Sequence, residues 1–376
     1  MTGQAQLTGR NKQASALAGL ARACADETDR ERALPAALLG ELRTCAFFHL
    51  LVPRAYGGAE LPLPDYVPLI ETLAAGDAST AWCVNQAAVY ATMACRAEPE
   101  TAREIWGDPQ TSVSNGPPVP ARVRQVEGGH RISGRWDFSS GCRHANWVAA
   151  AAIIDGTQQI FMLPIAEVRL LDTWQVQGLR GTGSFSFVAD DAYVPERRVI
   201  RFGGRPRIDG PLYGIPTNLL FASGFAATAL GNARAALDDA FVLLGTKTPV
   251  FEREPMRLRA SVQQDVARAE AIVQSARAFL RQAVEALWQG ALEQARPSIA
   301  ARAALRLAAT HAIQQSAEAV QLAYRTCGST AIFAVSPLQR RFQDAHVISQ
   351  QVQGRLSHYE VVGQHLLGMD PRADWF

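Results

Sequence analysis

The chain has 376 residues, 48% of them hydrophobic, enough for a sizeable core and two or three folding units. Net charge is +2 with 19% charged residues, which argues against a phosphate-backbone surface and so against nucleic acid as a partner. Six scattered cysteines show neither a CxxC pair nor Cys/His ligand spacing, so no metal site is expected.

The segment Met1 to Gly19 is polar and lacks the apolar stretch of a signal peptide. No apolar run reaches the roughly 18 residues that a membrane-spanning helix needs. The expectation is a cytoplasmic protein with reduced thiols and no membrane partner.

From Gln13 to Glu104 the pattern is helical. Leu34-Pro35 opens one segment, with apolar residues at three- and four-residue spacings through Leu38, Leu39, Leu42 and Cys45. Val52-Pro53 and Gly57-Gly58 interrupt it, and Tyr66 to Ala75 resumes. Asp77-Ala78-Ser79 reads as a cap for an apolar helix from Thr80 to Cys95.

Gly116-Pro117-Pro118 ends the helical texture, since adjacent prolines cannot continue a helix. Strand-like runs follow at Val123–Val126, His130–Phe138, Trp147–Ile154, Gln159–Leu163, Val168–Leu171 and Ser184–Val188. Beyond Pro211 the pattern is helical again, over Pro216–Leu244, Ser261–Trp288, Ile299–Tyr324 and a final helix about Leu338–Leu367. Four long helices with short connections predict a bundle. The expected class is α+β, with a helical domain over 1–112, a β-barrel-like domain over 113–208 and a four-helix bundle over 209–376.

That order, together with the motifs at its joints, resembles the acyl-CoA dehydrogenase superfamily across essentially the whole chain. Leu50 to Gly58, Glu71 to Trp82, Gly178 to Ser184 and Tyr193 to Glu196 are similar to its signatures, in order and at plausible spacing. The segment Gly134 to Trp147, reading GRWDFSSGCRHANW, resembles the two-component (group D) flavin-dependent monooxygenases built on this fold. Pro211 to Pro216 and Ser336 to Asp344 are similar to the same branch. The resemblance implies hydroxylation of an aromatic or heteroaromatic small molecule with O2, through a C4a-hydroperoxyflavin. It also implies reduced FAD or FMN supplied by a separate flavin reductase, and a homotetramer. The alternatives are an acyl-CoA dehydrogenase-type desaturase and a non-catalytic relative.

The glycines at 178, 181 and 183 are spaced in reverse of a dinucleotide fingerprint and precede a strand, so a Rossmann loop is not expected. The resemblance has this turn, with Arg180 and Thr182, lining the flavin; the alternative is a structural tight turn. Ser140 is its sharpest implied catalytic residue, a hydroxyl beside flavin N5 in a dry pocket, where one hydrogen bond counts for more than in water. Ser139 is the fallback. Trp82, Asn115 and Gly116 fall where the branch has flavin- or substrate-contacting residues, and Trp136 is a stacking alternative against core packing. His144 is a further catalytic candidate, since histidine titrates near neutrality.

The final helix departs from the pattern. The resemblance places the branch's acid/base histidine on Gln351, with His346 and His358 flanking it and His358 a catalytic candidate. In one continuous helix His358, seven residues on, would share the face of Gln351 about 10 Å along the axis. The dehydrogenase's catalytic glutamate falls on Gln353, and an amide cannot serve as that base. Glu254 is the carboxylate left for the alternative.

Overall fold

The computed structural model describes residues 3–370. Six helices come first: α1 (Gly3–Ala23), α2 (Ala25–Glu31), α3 (Ala36–Thr44), α4 (Leu63–Gly76), α5 (Ala78–Ala91) and α6 (Pro99–Trp106). Asp77 starts α5 as expected, its carboxylate accepting the Thr80 amide at 2.7 Å. The helix is shorter than its apolar run suggests, because Thr92–Cys95 tightens into a 3₁₀ turn.

Eight strands follow: β1 (Val113–Asn115), β2 (Arg122–Val126), β3 (Gly129–Ser139), β4 (Trp147–Ile154), β5 (Thr157–Pro164), β6 (Arg169–Leu171), β7 (Phe185–Pro195) and β8 (Val199–Arg201). They form two four-stranded sheets, ordered β1-β4-β5-β8 and β2-β3-β7-β6. The barrel-like expectation thus resolves into facing sheets without closure, because each sheet keeps two edge strands.

Trp136 locks the two sheets together. Its ring stacks on Phe187 with centroids 5.0 Å apart, and its indole nitrogen donates to Ala151 O at 2.8 Å. Ala151 lies on β4 of the opposite sheet, so Trp136 is a core residue rather than a stacking surface for a ligand.

The remaining helices are α7 (Pro211–Gly214), α8 (Thr217–Thr246), α9 (Ala260–Glu293), α10 (Ile299–Cys327), α11 (Pro337–Gln350) and α12 (Ser357–Leu366). Helix α8 is buried nearly all round, since it packs on α4, α5, α9, α10 and α11. It fuses the apolar cores of the N-terminal helices and the bundle into one. Among the described residues no helix is long and apolar enough to cross a membrane.

One expectation is overturned. The final helix is not continuous: Gln351 turns to ψ 155°, and a 3₁₀ turn over Val352–Gly354 separates α11 from α12. The Gln351 side chain accepts the Gln353 amide at 2.7 Å, which stabilises the break. A Cβ on Gly354 would lie 2.8 Å from Ile313, so the turn is also pressed against α10. The shared helical face proposed for Gln351 and His358 therefore does not exist.

Candidate active site

Four segments converge on Ser140. Helix α5 brings Trp82, β1 brings Ser114, the end of β3 brings Ser139, and the turn before β7 brings Thr182 and Ser184. The Trp82 indole donates to Ser140 Oγ at 3.0 Å, and Ser140 Oγ lies 2.8 Å from Ser184 Oγ. Ser184 Oγ is in turn 2.6 Å from Thr182 Oγ1, which donates to Leu179 O at 2.8 Å. From the other side Ser114 Oγ donates to Ser140 O at 2.8 Å and lies 2.7 Å from Ser139 Oγ. Ser139 faces inward in this second pair, whereas Ser140 belongs to the hydroxyl chain.

The strand end that presents these serines is strained. Phe138 has φ +59°, in the left-handed region, and the β3–β7 register slips between Trp136 and Ser139. The bulge turns the Phe138 ring outward, 65% exposed and edge-on to Trp174 at 6.2 Å. An exposed aromatic beside a buried hydroxyl chain is a feature that strand alternation alone did not signal.

The glycines of the 178–183 turn serve close tertiary approach. A Cβ on Gly178 would meet the Gln343 carbonyl of α11 at 2.3 Å, and one on Gly181 would meet Thr28 at 2.1 Å. The turn is also held by Asp344, whose Oδ1 accepts the Leu179 amide at 2.6 Å. Burial, then Asp77, pushes the Asp344 carboxyl up to about 7. Asp344 and Ser184 end the motifs Ser336–Asp344 and Gly178–Ser184, yet neither is an expected site residue; the docking of α11 on the turn identifies Asp344, and the contact with Ser140 identifies Ser184.

An aromatic wall adjoins the chain. Trp82 packs on Phe225 of α8 with centroids 4.0 Å apart, and Phe225 stacks on Phe221 at 5.9 Å. Trp82 thus has one ring face occupied and its N–H engaged with Ser140. Asn115 Oδ1 accepts from Gln86, one turn beyond Trp82 on α5, and Gly116 lies against the β3 backbone at Trp136 and Asp137.

The other expected residues are anchored elsewhere. Arg180 pairs with Asp29 at 3.2 Å and donates to Val176 O at 3.0 Å. His144 lies toward the N-terminal helices, its ring 5.7 Å from that of Phe48 and its carbonyl held by Arg43 at 2.9 Å. Burial, then the Arg43 charge, brings it down to about 4, so it is neutral at pH 7. His358 is in the bundle, 3% exposed, with Nε2 2.8 Å from Val352 O. Burial, then Arg306, lowers it to about 4.

Gln353, at the place of the dehydrogenase base, accepts from Arg306 through Oε1 at 2.6 Å. Glu254 is exposed. Neither position offers a buried carboxylate to abstract a carbon-bound proton.

Comparison with known proteins agrees with this geometry. The acyl-CoA dehydrogenase N-terminal domain model matches residues 13–106 and the C-terminal domain model matches 223–353. An indole-3-acetate monooxygenase from Pseudomonas putida is 32% identical over 93% of this chain and 91% of its own. The oxygenase component of an FADH(2)-dependent resorcinol hydroxylase from Rhizobium sp. is 28% identical over 96% of this chain and 94% of its own. The crystal structure of 3-HSA hydroxylase from Rhodococcus sp. RHA1 superposes with a TM-score of 0.87 at 25% identity, covering 96% of this chain and 97% of that one. The chain belongs to the acyl-CoA dehydrogenase family. Within it, the chain falls in the branch of two-component flavin-dependent monooxygenase oxygenase components and is an oxidoreductase of that kind.

Proposed function

We propose that this protein hydroxylates an aromatic or heteroaromatic small molecule, using O2 and reduced FAD or FMN delivered by a separate flavin reductase. It works in this reading as a cytoplasmic homotetramer. The observation that carries the proposal is the chain from Trp82 through Ser140, Ser184 and Thr182 to Leu179 O, set beside the exposed Phe138 ring and the Phe225–Phe221 wall.

The residues fit a flavin. A tricyclic ring with one polar edge needs apolar faces and a few fixed polar atoms, and Ser140 in its aromatic surroundings supplies both. Trp82, Asn115, Gly116, Ser140 and Thr182 would hold it, while Ser139 is engaged with Ser114 and Arg180 with Asp29. When bound, reduced flavin supplies the two electrons with which O2 gives one oxygen atom to the substrate ring and the other to water.

The protein's own part is placement and exclusion. Ser140 Oγ is fixed on two sides, so it meets the cofactor edge without reorganising. Trp82 and Phe225 close the adjoining volume with apolar surface and keep water from the reacting atoms. His144 stays neutral near pH 7, and burial with the Arg43 charge leaves it too weak a base to take a phenol's proton. The dehydrogenase reading lacks its base, since Gln353 is an amide bound to Arg306 and Glu254 faces solvent.

The test is incubation with a flavin reductase, NADH, ¹⁸O2 and a panel of phenols and indoles, read by mass spectrometry. Incorporation of one labelled oxygen supports the reading. Electron consumption ending wholly in peroxide with every substrate, or anaerobic bleaching of bound FAD by an acyl-CoA, overturns it. Ser140→Ala tests the site: more peroxide per flavin is expected, and unchanged coupling removes Ser140 from the chemistry.

A further inference from the structure

Counting protons gives the hydroxyl chain one direction. An indole N–H only donates and a peptide carbonyl only accepts. Trp82 therefore donates to Ser140, and Thr182 donates to Leu179 O. With its single proton engaged there, Thr182 meets Ser184 as an acceptor. Ser184 has then given its own proton, so the contact between the serines is a donation from Ser140. Four bonds use four protons, and no other assignment keeps all four.

Of the three hydroxyl residues Ser140 is the most open, 7% exposed against 2% for Ser184 and 1% for Thr182. What it offers at that opening is a lone pair, since its proton is held by Ser184.

We infer that this polarity selects the redox state of the flavin. Ser140 accepts from a ring N–H and disfavours a ring nitrogen that has only a lone pair. Reduced flavin has hydrogen on N5, whereas oxidised flavin presents a bare nitrogen there, so the chain favours the reduced cofactor. Ser184 is the positioning residue that sets this preference, and Thr182 anchors it on Leu179 O. The inference rests on the reading of Ser140 as the hydroxyl that meets the flavin.

Anaerobic titration of the full-length protein with oxidised and with dithionite-reduced FAD, and FMN in parallel, tests it. The wild type is expected to bind the reduced form at least tenfold more tightly. Ser184→Ala frees the Ser140 proton to donate, so the ratio narrows by about tenfold through tighter binding of oxidised flavin, the scale of one hydrogen bond. Lost packing would weaken both forms and cannot produce that split. Ser184→Thr keeps the hydroxyl and keeps the ratio. Thr182→Val removes the anchor while leaving both serines, and it narrows the ratio if Ser184→Ala fails to fold.

An unchanged ratio in Ser184→Ala and Thr182→Val, with the ratio abolished in Ser140→Ala, overturns the polarity and leaves Ser140 in place. An unchanged ratio and unchanged peroxide release in Ser140→Ala overturn the reading of Ser140 itself. A wild type without redox preference overturns the inference directly.

Discussion

The Leu179 amide donates to the Asp344 carboxylate at 2.6 Å, joining the turn before β7 to helix α11 across 165 residues of sequence. The carbonyl of the same residue receives the Thr182 hydroxyl, so Leu179 ties the hydroxyl chain to the bundle. Asp344→Asn keeps an acceptor for that amide, whereas Asp344→Ala strands it in a buried position. Asp344→Ala is expected to be about 1–3 kcal/mol less stable than Asp344→Asn in urea unfolding. It should also release more peroxide per flavin oxidised, and equal stability of the two variants would show that the bond does not hold the turn.

The same junction leaves no room at Gly178. A Cβ there would lie 2.3 Å from the Gln343 carbonyl, which is backbone and cannot rotate away. Gly178→Ala is expected to destabilise by about 3 kcal/mol through overpacking and to push α11 off the turn. Thermal unfolding checks the first effect, and looser flavin binding at a temperature where the variant is folded checks the second.

Acid stability depends on groups with opposite signs. The ordinary histidine value is about 6.5, and His144 and His358 sit at about 4 in the fold. Unfolding takes up their protons in that window, so stability is lost as pH falls from about 6.5 toward 4. Asp344 is raised to about 7, so its contribution is present at low pH and is lost as pH rises toward 7. Asp344→Asn removes that offset. Its stability should fall more steeply on acidification between pH 6.5 and 4 than the wild type's, by up to about 1.4 kcal/mol per pH unit. His144→Gln should make the fall shallower, and parallel pH profiles for all three proteins would contradict both assignments.

Two tryptophans separate by role. Trp136→Ala is expected to cost about 3–5 kcal/mol, because it empties the space between the sheets and removes the indole bond that joins them at Ala151 O. Flavin affinity per folded molecule should hardly change. Trp82→Phe keeps the packing on Phe225 but loses the donor to Ser140. It should stay within about 1.5 kcal/mol of wild type while raising peroxide release. The reverse pattern would place the flavin contact at Trp136.

Gln353→Glu restores the residue type that the dehydrogenase branch uses at this place. Its carboxylate would pair with Arg306, which already donates to this side chain at 2.6 Å. An ion-paired carboxylate is a weak base for a carbon-bound proton, so no acyl-CoA-dependent bleaching of FAD is expected. Bleaching would show that the dehydrogenase site is otherwise intact.

Much of the layout is written locally. Asp77 caps α5 through the Thr80 amide as its position before an apolar run implies, and the run Trp147–Ile154 is strand β4 with the same bounds. Apolar period and breaker residues act over a few neighbours, so a sequence displays them. The break after Gln350 is not legible in this way, because it combines a glutamine cap, Gln351 on the Gln353 amide, with Gly354 packing on Ile313 of another helix. The apolar periodicity runs through that break without a mark.

The candidate site divides along the same line. Sequence by itself determined the order of helical, strand and bundle segments, and it brought Ser140, Trp82 and Thr182 into view through motif resemblance. It could not single out Ser184 or Asp344, which join the site by packing across long separations, nor could it tell that Trp136 is consumed in the core. Tertiary structure alone decided the direction of the hydroxyl chain. A hydroxyl can donate or accept, and what fixes the choice here is the pair of one-way groups, the Trp82 N–H and the Leu179 carbonyl, brought to opposite ends of the chain by folding.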